Sequence, residues 1–203
     1  LDRLNELLKT QLLISYHSSG NEVLYPYVCG DTAERGIYFD LRDKIAQATQ
    51  FGQRHASSSG EDFEHHYAQH GSLSFLLEIG EEFQPPLATY KQDVWPRIQK
   101  VLPLLITTLE SSAWLSLNIV GSDDGQPIEG ANLTIDEVSF TENEQRLTDQ
   151  FGRIRWKLSP NSYHIRVWKN GYVSQQITIS VGGQGLIQVV TLHPNLTEQH
   201  QSL

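Results

Sequence analysis

Alternation of apolar and polar residues governs the second part of the chain and restricts what it can fold into. The alternating stretches are LSLNI at 115–119, IRWKL at 154–158, YHIRV at 163–167 and ITISV at 177–181. Turn sequences such as SDDGQP, SPNS and KNGY separate them. Successive side chains of a strand point to opposite faces, so this pattern predicts strands with one buried face. We expect about seven short strands and a small all-β sandwich.

The first part of the chain mixes two periodicities. Helical spacing is present at residues 1–8, 40–54 and 94–109, and an apolar strand pattern at residues 12–14. In the last helix, either Pro103 introduces a kink or Pro96 marks the start. Strands that alternate with helices predict an α/β arrangement with a mostly parallel sheet. The boundary with the β-rich part is expected near residue 112.

Composition excludes some classes of function. The net charge of the 203 residues is −9, which argues against a nucleic-acid-binding role because phosphate binding needs a basic face. No apolar run is long enough to predict a membrane span. Cys29 is the one cysteine, so no intrachain disulfide can form. The sequence lacks methionine and a visible signal peptide, and we expect it to be a piece of a longer protein.

Two polar residues at the ends of apolar stretches are candidates for chemistry. His17 ends LLISYH, and Glu78 ends LSFLLE. Ligands collect at the carboxyl ends of strands in open α/β sheets, so His17 could hold a metal and Glu78 could act as a general base. The alternatives are a structural histidine and a glutamate that pairs with Arg54 or Arg97, since an unpaired buried carboxylate is costly.

A third candidate is the histidine cluster in FEHHYAQH. His66 and His70 are spaced as metal ligands on one helix face sometimes are. There is no H-E-x-x-H pattern, however, and the segment is interpreted as a solvated loop.

The surroundings of His17 and Glu78 resemble zinc metallocarboxypeptidases of the M14 type. The zinc-binding histidine of that family ends a strand in a pattern like ISYHSSGNEVLYPY, and its general base lies in one like DFEHHYAQHGSLSFLLEIG. EEFQPP is similar to a segment of the subfamily that contains carboxypeptidases N and E, which carries a transthyretin-like β-sandwich after the catalytic domain. The Gly-x-Pro-Ile-x-Gly-Ala and Thr-Asp-x-x-Gly spacings in DDGQPIEGANLTI and LTDQFG match that sandwich. The resemblance covers nearly the whole chain.

The resemblance implies a domain organisation and a site. Residues 1–112 would be the carboxyl-terminal half of the catalytic domain, 113–194 the transthyretin-like sandwich and 195–203 a tail. His17 would bind one Zn²⁺ together with two ligands upstream of this chain, and Glu78 would be the general base.

The resemblance also implies a substrate class. The intact enzyme would remove single carboxyl-terminal residues from peptides or proteins, with Ser18 and Ser19 lining the substrate pocket. The subfamily suggests a preference for lysine or arginine, which Asp62 or Glu64 could recognise. Most members are secreted or periplasmic, and we expect the same here.

Departures from the family leave another function open. The upstream H-x-x-E motif is absent from this sequence, and Ala56 stands where the family has a mobile tyrosine, next to His55. The isolated chain is therefore expected to be inactive. The main alternative is a catalytically inactive relative that serves in binding or adhesion. A third hypothesis is a carbohydrate-binding module that uses Trp168 and Tyr172.

Overall fold

The computed structural model describes residues 10–28, 35–111, 114–140, 144 and 146–195. These residues form two compact units. The first unit contains residues 10–68 and 72–111, and the second contains residues 69–71 and 114–195. The predicted helix at residues 1–8 and residues 196–203 of the predicted tail lie outside the described residues, as does Cys29.

The first unit contains a four-stranded sheet. Its strands are β1 (Leu12–His17), β2 (Glu22–Tyr25), β3 (Gly52–His55) and β4 (Leu73–Glu78), in the spatial order β1-β4-β2-β3. The β1–β4 and β2–β3 pairs are parallel, and the β2–β4 pair is antiparallel. The sheet is therefore mixed.

The helices of the first unit are α1 (Arg35–Thr49), α2 (Asp62–His70), α3 (Leu87–Thr89), a π-helical turn (Tyr90–Val94), α4 (Trp95–Ile98) and α5 (Val101–Ser111). The helix predicted at 40–54 is displaced, because Gln50 takes a positive φ of 60° and ends α1. Residues 52–55 form β3 instead. Pro96 lies in the first turn of α4, and Pro103 lies in the first turn of α5.

The loop predicted at FEHHYAQH is wrong, because these residues belong to α2. Phe63, His66 and Tyr67 repeat at helical spacing and are buried, and only 3% of His66 is exposed. The sequence did not reveal this buried face, because histidine is counted as a polar residue when apolar periodicity is analysed.

Strand β4 is buried on both faces. Phe75 and Leu77 belong to one hydrophobic cluster, and Leu76 belongs to another on the opposite face. In the first cluster the Tyr38 ring lies 4.7 Å from the Phe75 ring and 5.1 Å from the Tyr67 ring. The apolar run that precedes Glu78 is thus an interior strand of the sheet, and its continuous apolar sequence is typical of a strand covered on both faces.

The second unit contains two three-stranded sheets with the strand orders β10-β5-β7 and β6-β8-β9. Its strands are β5 (Trp114–Gly121), β6 (Asn132–Ile135), β7 (Arg153–Lys157), β8 (Asn161–Trp168), β9 (Gln175–Val181) and β10 (Leu186–Leu192). The β10–β5 pair is parallel and the other pairs are antiparallel. The alternation predicted β5, β7, β8 and β9 but not β6 and β10.

One hydrophobic cluster joins the inner faces of these two sheets. Leu115, Leu117 and Ile119 of β5 and Ile165 and Val167 of β8 are almost completely buried. Burial of an aliphatic side chain of this size contributes about 1.5–3 kcal/mol. Hydrophobic packing between two sheets is therefore the main source of stability in this unit.

The Thr-Asp-x-x-Gly sequence forms a turn before β7. The Thr148 hydroxyl donates to the Ile128 carbonyl at 2.6 Å, and Asp149 Oδ1 accepts from Arg153 N at 2.8 Å. Gly152 has a φ of +68°, and a Cβ there would lie 2.4 Å from the Ile119 carbonyl oxygen. The turn therefore requires glycine at this position.

Candidate active site

The structure places His17 and Glu78 side by side. They are the last residues of the adjacent parallel strands β1 and β4, and they are register partners. Neighbouring strands lie about 4.8 Å apart, so the backbones of the two residues are close together at the same edge of the sheet. Ile79 N donates to the His17 carbonyl at 2.8 Å, which holds the two strand ends together.

Glu22 extends this row of polar residues. It begins β2 and is the register partner of Glu78 on the other side of β4. Its carboxylate lies 2.7 Å from Arg54 Nε, so its charge is already balanced. Glu78 therefore lies between an exposed histidine and a paired carboxylate.

The carboxylate of Glu78 is incompletely satisfied. The residue is half-buried, and its Oε2 is buried without a hydrogen-bond partner among the described residues. Arg54 contacts Glu22, and Arg97 donates to the carbonyls of Thr49 and Gln50 at 2.7 and 2.6 Å. Neither arginine considered in the sequence pairs with Glu78. A buried acceptor without a donor is uncommon in native structures and calls for an explanation.

The loops that follow β1 and β4 are bonded to each other. Gly20 N donates to the Gly80 carbonyl at 2.8 Å, and Gly80 N donates to Asn21 Oδ1 at 3.0 Å. A Cβ on Gly20 would lie 3.0 Å from Glu78 Cβ, so the first loop passes directly over the base of the glutamate side chain. Sequence reasoning missed Gly20 and Asn21, although the S-S-G-N turn was the available signal.

Ser18 and Ser19 belong to the same loop, and the peptide bond between them is cis. The Ser18 hydroxyl donates to the Phe83 carbonyl at 2.8 Å, and Ser19 is exposed. Ser18 therefore uses its hydroxyl in a loop-to-loop contact. Their predicted contacts with substrate through backbone groups stay a prediction.

Tyr16, the residue before His17, is partly exposed. Burial of part of the ring, followed by the electrostatic effect of Tyr90, raises the pKa of its hydroxyl above the ordinary value. The hydroxyl therefore stays protonated at neutral pH and can donate a hydrogen bond.

His55 and Ala56 occupy structural positions. His55 Nδ1 lies 2.7 Å from the Tyr27 carbonyl oxygen, and its ring lies 4.4 Å from the Tyr25 ring. Ala56 is buried, and its N–H donates to the Tyr25 carbonyl at 3.0 Å. These contacts give His55 a role in the packing of β3. They do not place it in the role of the mobile tyrosine that the family has at this point of the chain.

Of the two acidic residues proposed for substrate recognition, only Asp62 is accessible. Glu64 is 6% exposed, and its two oxygens accept from Val28 N at 3.0 Å and Gly60 N at 2.9 Å. This carboxylate connects two loops and is closed to a basic side chain. Asp62 is exposed and accepts from Phe63 N at 2.9 Å.

The donor set present can be compared with what zinc requires. No group of three His, Cys, Asp or Glu side chains that could hold a metal occurs within the described ranges. The imidazole of His17 is exposed, and its register partner on β4 is Glu78, whose Oε2 has no hydrogen-bond partner among the described residues. Since catalytic zinc takes three protein ligands, these residues fit part of such a site and not a whole one.

The aromatic residues considered for carbohydrate stacking contact other protein groups. Tyr172 packs against the hydrophobic cluster of the second unit, and the Arg166 guanidinium lies 5.7 Å from the Trp168 ring centroid.

In the part of the chain that the structure describes, no helix is long and apolar enough to cross a membrane.

Comparison with known proteins identifies no family for this chain and gives only weak structural similarities. No family model and no curated protein matches this chain. A minor pilin of Streptococcus agalactiae, GBS52, aligns at 18% identity and a TM-score of 0.36 over 42% of this chain and 45% of the pilin chain. The Bacillus anthracis TIE protein aligns at 17% identity and a TM-score of 0.31 over 41% of this chain and 17% of its own. Similarities this weak carry no argument about function.

Proposed function

We propose that the first unit carries half of a zinc carboxypeptidase active site, in which His17 is a metal ligand and Glu78 is the general base. The observation that supports this is the pairing of His17 with Glu78 at the carboxyl ends of adjacent parallel strands, with one buried oxygen of Glu78 left without a donor. Open α/β sheets bind ligands at this edge. The proposal includes the carboxypeptidase-type fold of the first unit and a transthyretin-like sandwich in the second.

Each residue has a defined task in this proposal. Glu78 accepts a proton from the attacking water and passes it to the amino group of the departing residue. Its desolvated, unpartnered oxygen suits a proton acceptor, because no protein donor competes for the lone pairs. His17 supplies one neutral imidazole to the metal. Zinc, when bound, polarises the scissile carbonyl and lowers the pKa of water.

The other requirements concern the rest of the protein. Two more ligands, expected from an upstream H-x-x-E segment, complete the metal site, so this chain alone is expected to be inactive. The substrates would be the carboxyl termini of peptides or proteins, and Asp62 is the remaining candidate for recognition of lysine or arginine. A secreted or periplasmic location is part of the proposal.

The test uses a protein that contains this chain together with the upstream H-x-x-E segment. Release of carboxyl-terminal amino acids is measured with and without a chelator. We expect Glu78→Gln to lower chelator-sensitive turnover by about 10²–10⁴-fold, the usual contribution of a general base. Glu82→Gln, which changes an exposed carboxylate four residues later, is the matched control and should keep full activity.

Full chelator-sensitive activity in Glu78→Gln would overturn the assignment. The competing function is a non-enzymatic binding or adhesion protein, which Ala56 favours because it is buried where the family has a mobile tyrosine. A wild-type protein that binds zinc at His17 but releases no amino acid from any peptide would support that alternative.

A further inference from the structure

A groove lies on the outer face of the β10-β5-β7 sheet, in the second unit. Its volume is about 390 Å³. The floor is formed by Ser116 and Asn118 of β5, the central strand, whose outward side chains are small and polar. Taller side chains of the two edge strands rise on either side. The two rows across the sheet are Ile187–Ser116–Arg155 and Val189–Asn118–Arg153.

The β10 wall of the groove is apolar. Ile187 is 73% exposed and Val189 is 54% exposed. Ile187 lines the groove, and Val189, two residues further along the same edge strand, lies on the same outer face of the sheet beside it. These two side chains provide exposed apolar surface beside the groove.

The β7 wall of the groove carries Arg153 and Arg155, and the carboxylate of Asp149 also lines the groove. Arg153 is held by Asp149, whose Oδ2 lies 3.3 Å from Nη2, and it keeps 56% of its side chain exposed. Arg155 is exposed and has no hydrogen-bond or ion-pair partner in the described ranges. The chain has a net charge of −9, so this positive wall is a local feature rather than the consequence of a basic protein.

The spacing of the two walls fits one kind of occupant. Residues two apart on a strand are about 6.6–6.8 Å apart, and the walls are separated by two strand spacings, about 9.5 Å. An extended peptide that lies along the groove has the same 6.6–6.8 Å repeat, with alternate side chains pointing to opposite walls. Acidic side chains on one edge would meet Arg153 and Arg155, and apolar side chains on the other would meet Ile187 and Val189.

We propose that this groove binds an extended peptide segment in which acidic and apolar residues alternate. The arginines of the groove would contact the acidic edge of this peptide, and the apolar wall would contact its apolar edge. A polyanion such as a sulfated polysaccharide would make no use of the apolar wall. The groove is small compared with stable protein–protein interfaces, so binding is weak and falls with rising salt. The proposal is independent of the function proposed for the first unit.

The experiment titrates the 203-residue chain into a fluorescently labelled peptide in which aspartate alternates with valine. Binding is followed by fluorescence anisotropy at low and high salt. Arg155→Gln and Ile187→Thr are each expected to weaken binding about tenfold, the usual effect of losing one charge-assisted contact or one apolar contact. Val189→Thr gives an independent variant of the apolar wall.

Two controls make the result specific. Arg166→Gln removes an exposed arginine from the other sheet and should leave the affinity unchanged. A peptide of the same composition, with all aspartates before all valines, should bind more weakly than the alternating peptide. Circular dichroism confirms that each variant is folded.

Three outcomes would overturn the proposal. They are equal binding of the two peptides, an effect of Arg166→Gln as large as that of Arg155→Gln, and no effect of either substitution on the apolar wall. The last outcome, together with displacement of the peptide by a sulfated polysaccharide, would make the groove a general anion-binding surface.

Discussion

The unpartnered Oε2 of Glu78 identifies a residue at which stability and function are expected to oppose each other. A buried carboxylate oxygen without a donor raises the free energy of the folded state. Glu64 is the contrasting case in the same unit, because backbone N–H groups donate to both of its oxygens. Both residues are glutamates, but protein donors hold only the carboxyl group of Glu64.

This contrast leads to a stability prediction. We expect Glu78→Gln to raise the free energy of unfolding by up to about 1 kcal/mol, because a neutral amide is less costly to bury than an unpaired carboxylate. Glu64→Gln should lower it by about 1–3 kcal/mol, because one backbone N–H loses its acceptor. Urea unfolding of the 203-residue chain measures both. Destabilisation of Glu78→Gln by as much as Glu64→Gln would show that Glu78 has a stabilising partner.

Gly20 provides a second test at the residue scale. In Gly20→Ala the new methyl group would lie 3.0 Å from Glu78 Cβ and 3.2 Å from Glu22 Oε2, so the loop must shift. We expect a loss of about 1–3 kcal/mol in urea unfolding, typical of overpacking. Gly36→Ala is the matched control, because a Cβ there has no neighbour within 4 Å, and it should be neutral or stabilising. Equal effects of the two substitutions would contradict the close contact at Gly20.

At the scale of elements, a pair of hydrogen bonds between Glu137 and His164 connects the segment after β6 to the neighbouring strand β8. Glu137 Oε2 accepts from His164 N at 3.0 Å, and Oε1 lies 2.6 Å from His164 Nδ1. The backbone hydrogen bond from His164, and then the one from its side chain, lower the pKa of Glu137 below its ordinary value of 4.5. The carboxylate is the form that makes these contacts.

The sign of the resulting pH dependence follows from this direction. Because the pKa of Glu137 is lower in the folded state, its stabilising effect is present above the ordinary value of 4.5 and is lost as the pH falls through the folded pKa. In urea unfolding, the stability difference between wild type and Glu137→Gln should therefore shrink toward low pH. Glu129→Gln, at an exposed carboxylate, should show no such trend. A constant difference for Glu137→Gln would contradict the assignment.

At the scale of the whole molecule, sequence patterns predicted elements better than their arrangement. The alternation predicted β5, β7, β8 and β9, because their inner faces are buried and their outer faces are polar. It missed β10, where the outward residues Ile187 and Val189 are apolar and break the alternation. The helix α2 was missed because its buried face contains His66 and Glu64.

The candidate site shows the same limit. The sequence identifies both residues, because each is a polar residue at the end of an apolar stretch. It does not determine whether Glu78 pairs with an arginine. The register of β1 with β4 joins residues far apart in the chain, and no local pattern determines it. The contacts of Arg54 and Arg97 likewise depend on tertiary structure. The assignment of zinc chemistry to the pair rests on the family resemblance and stays a prediction.

The parallel pairing of β10 with β5 has a mechanical consequence. Strand β5 begins at Trp114 and β10 ends at Leu192, and the two strands run side by side in the same direction. A pull applied between these two points would act along the strands in opposite directions, so the hydrogen bonds that join them would be loaded in shear and would have to break together. Seven residues of β10 are paired in this way. The hydrogen bonds between β5 and β10 are therefore arranged to resist such a pull together rather than to open one after another.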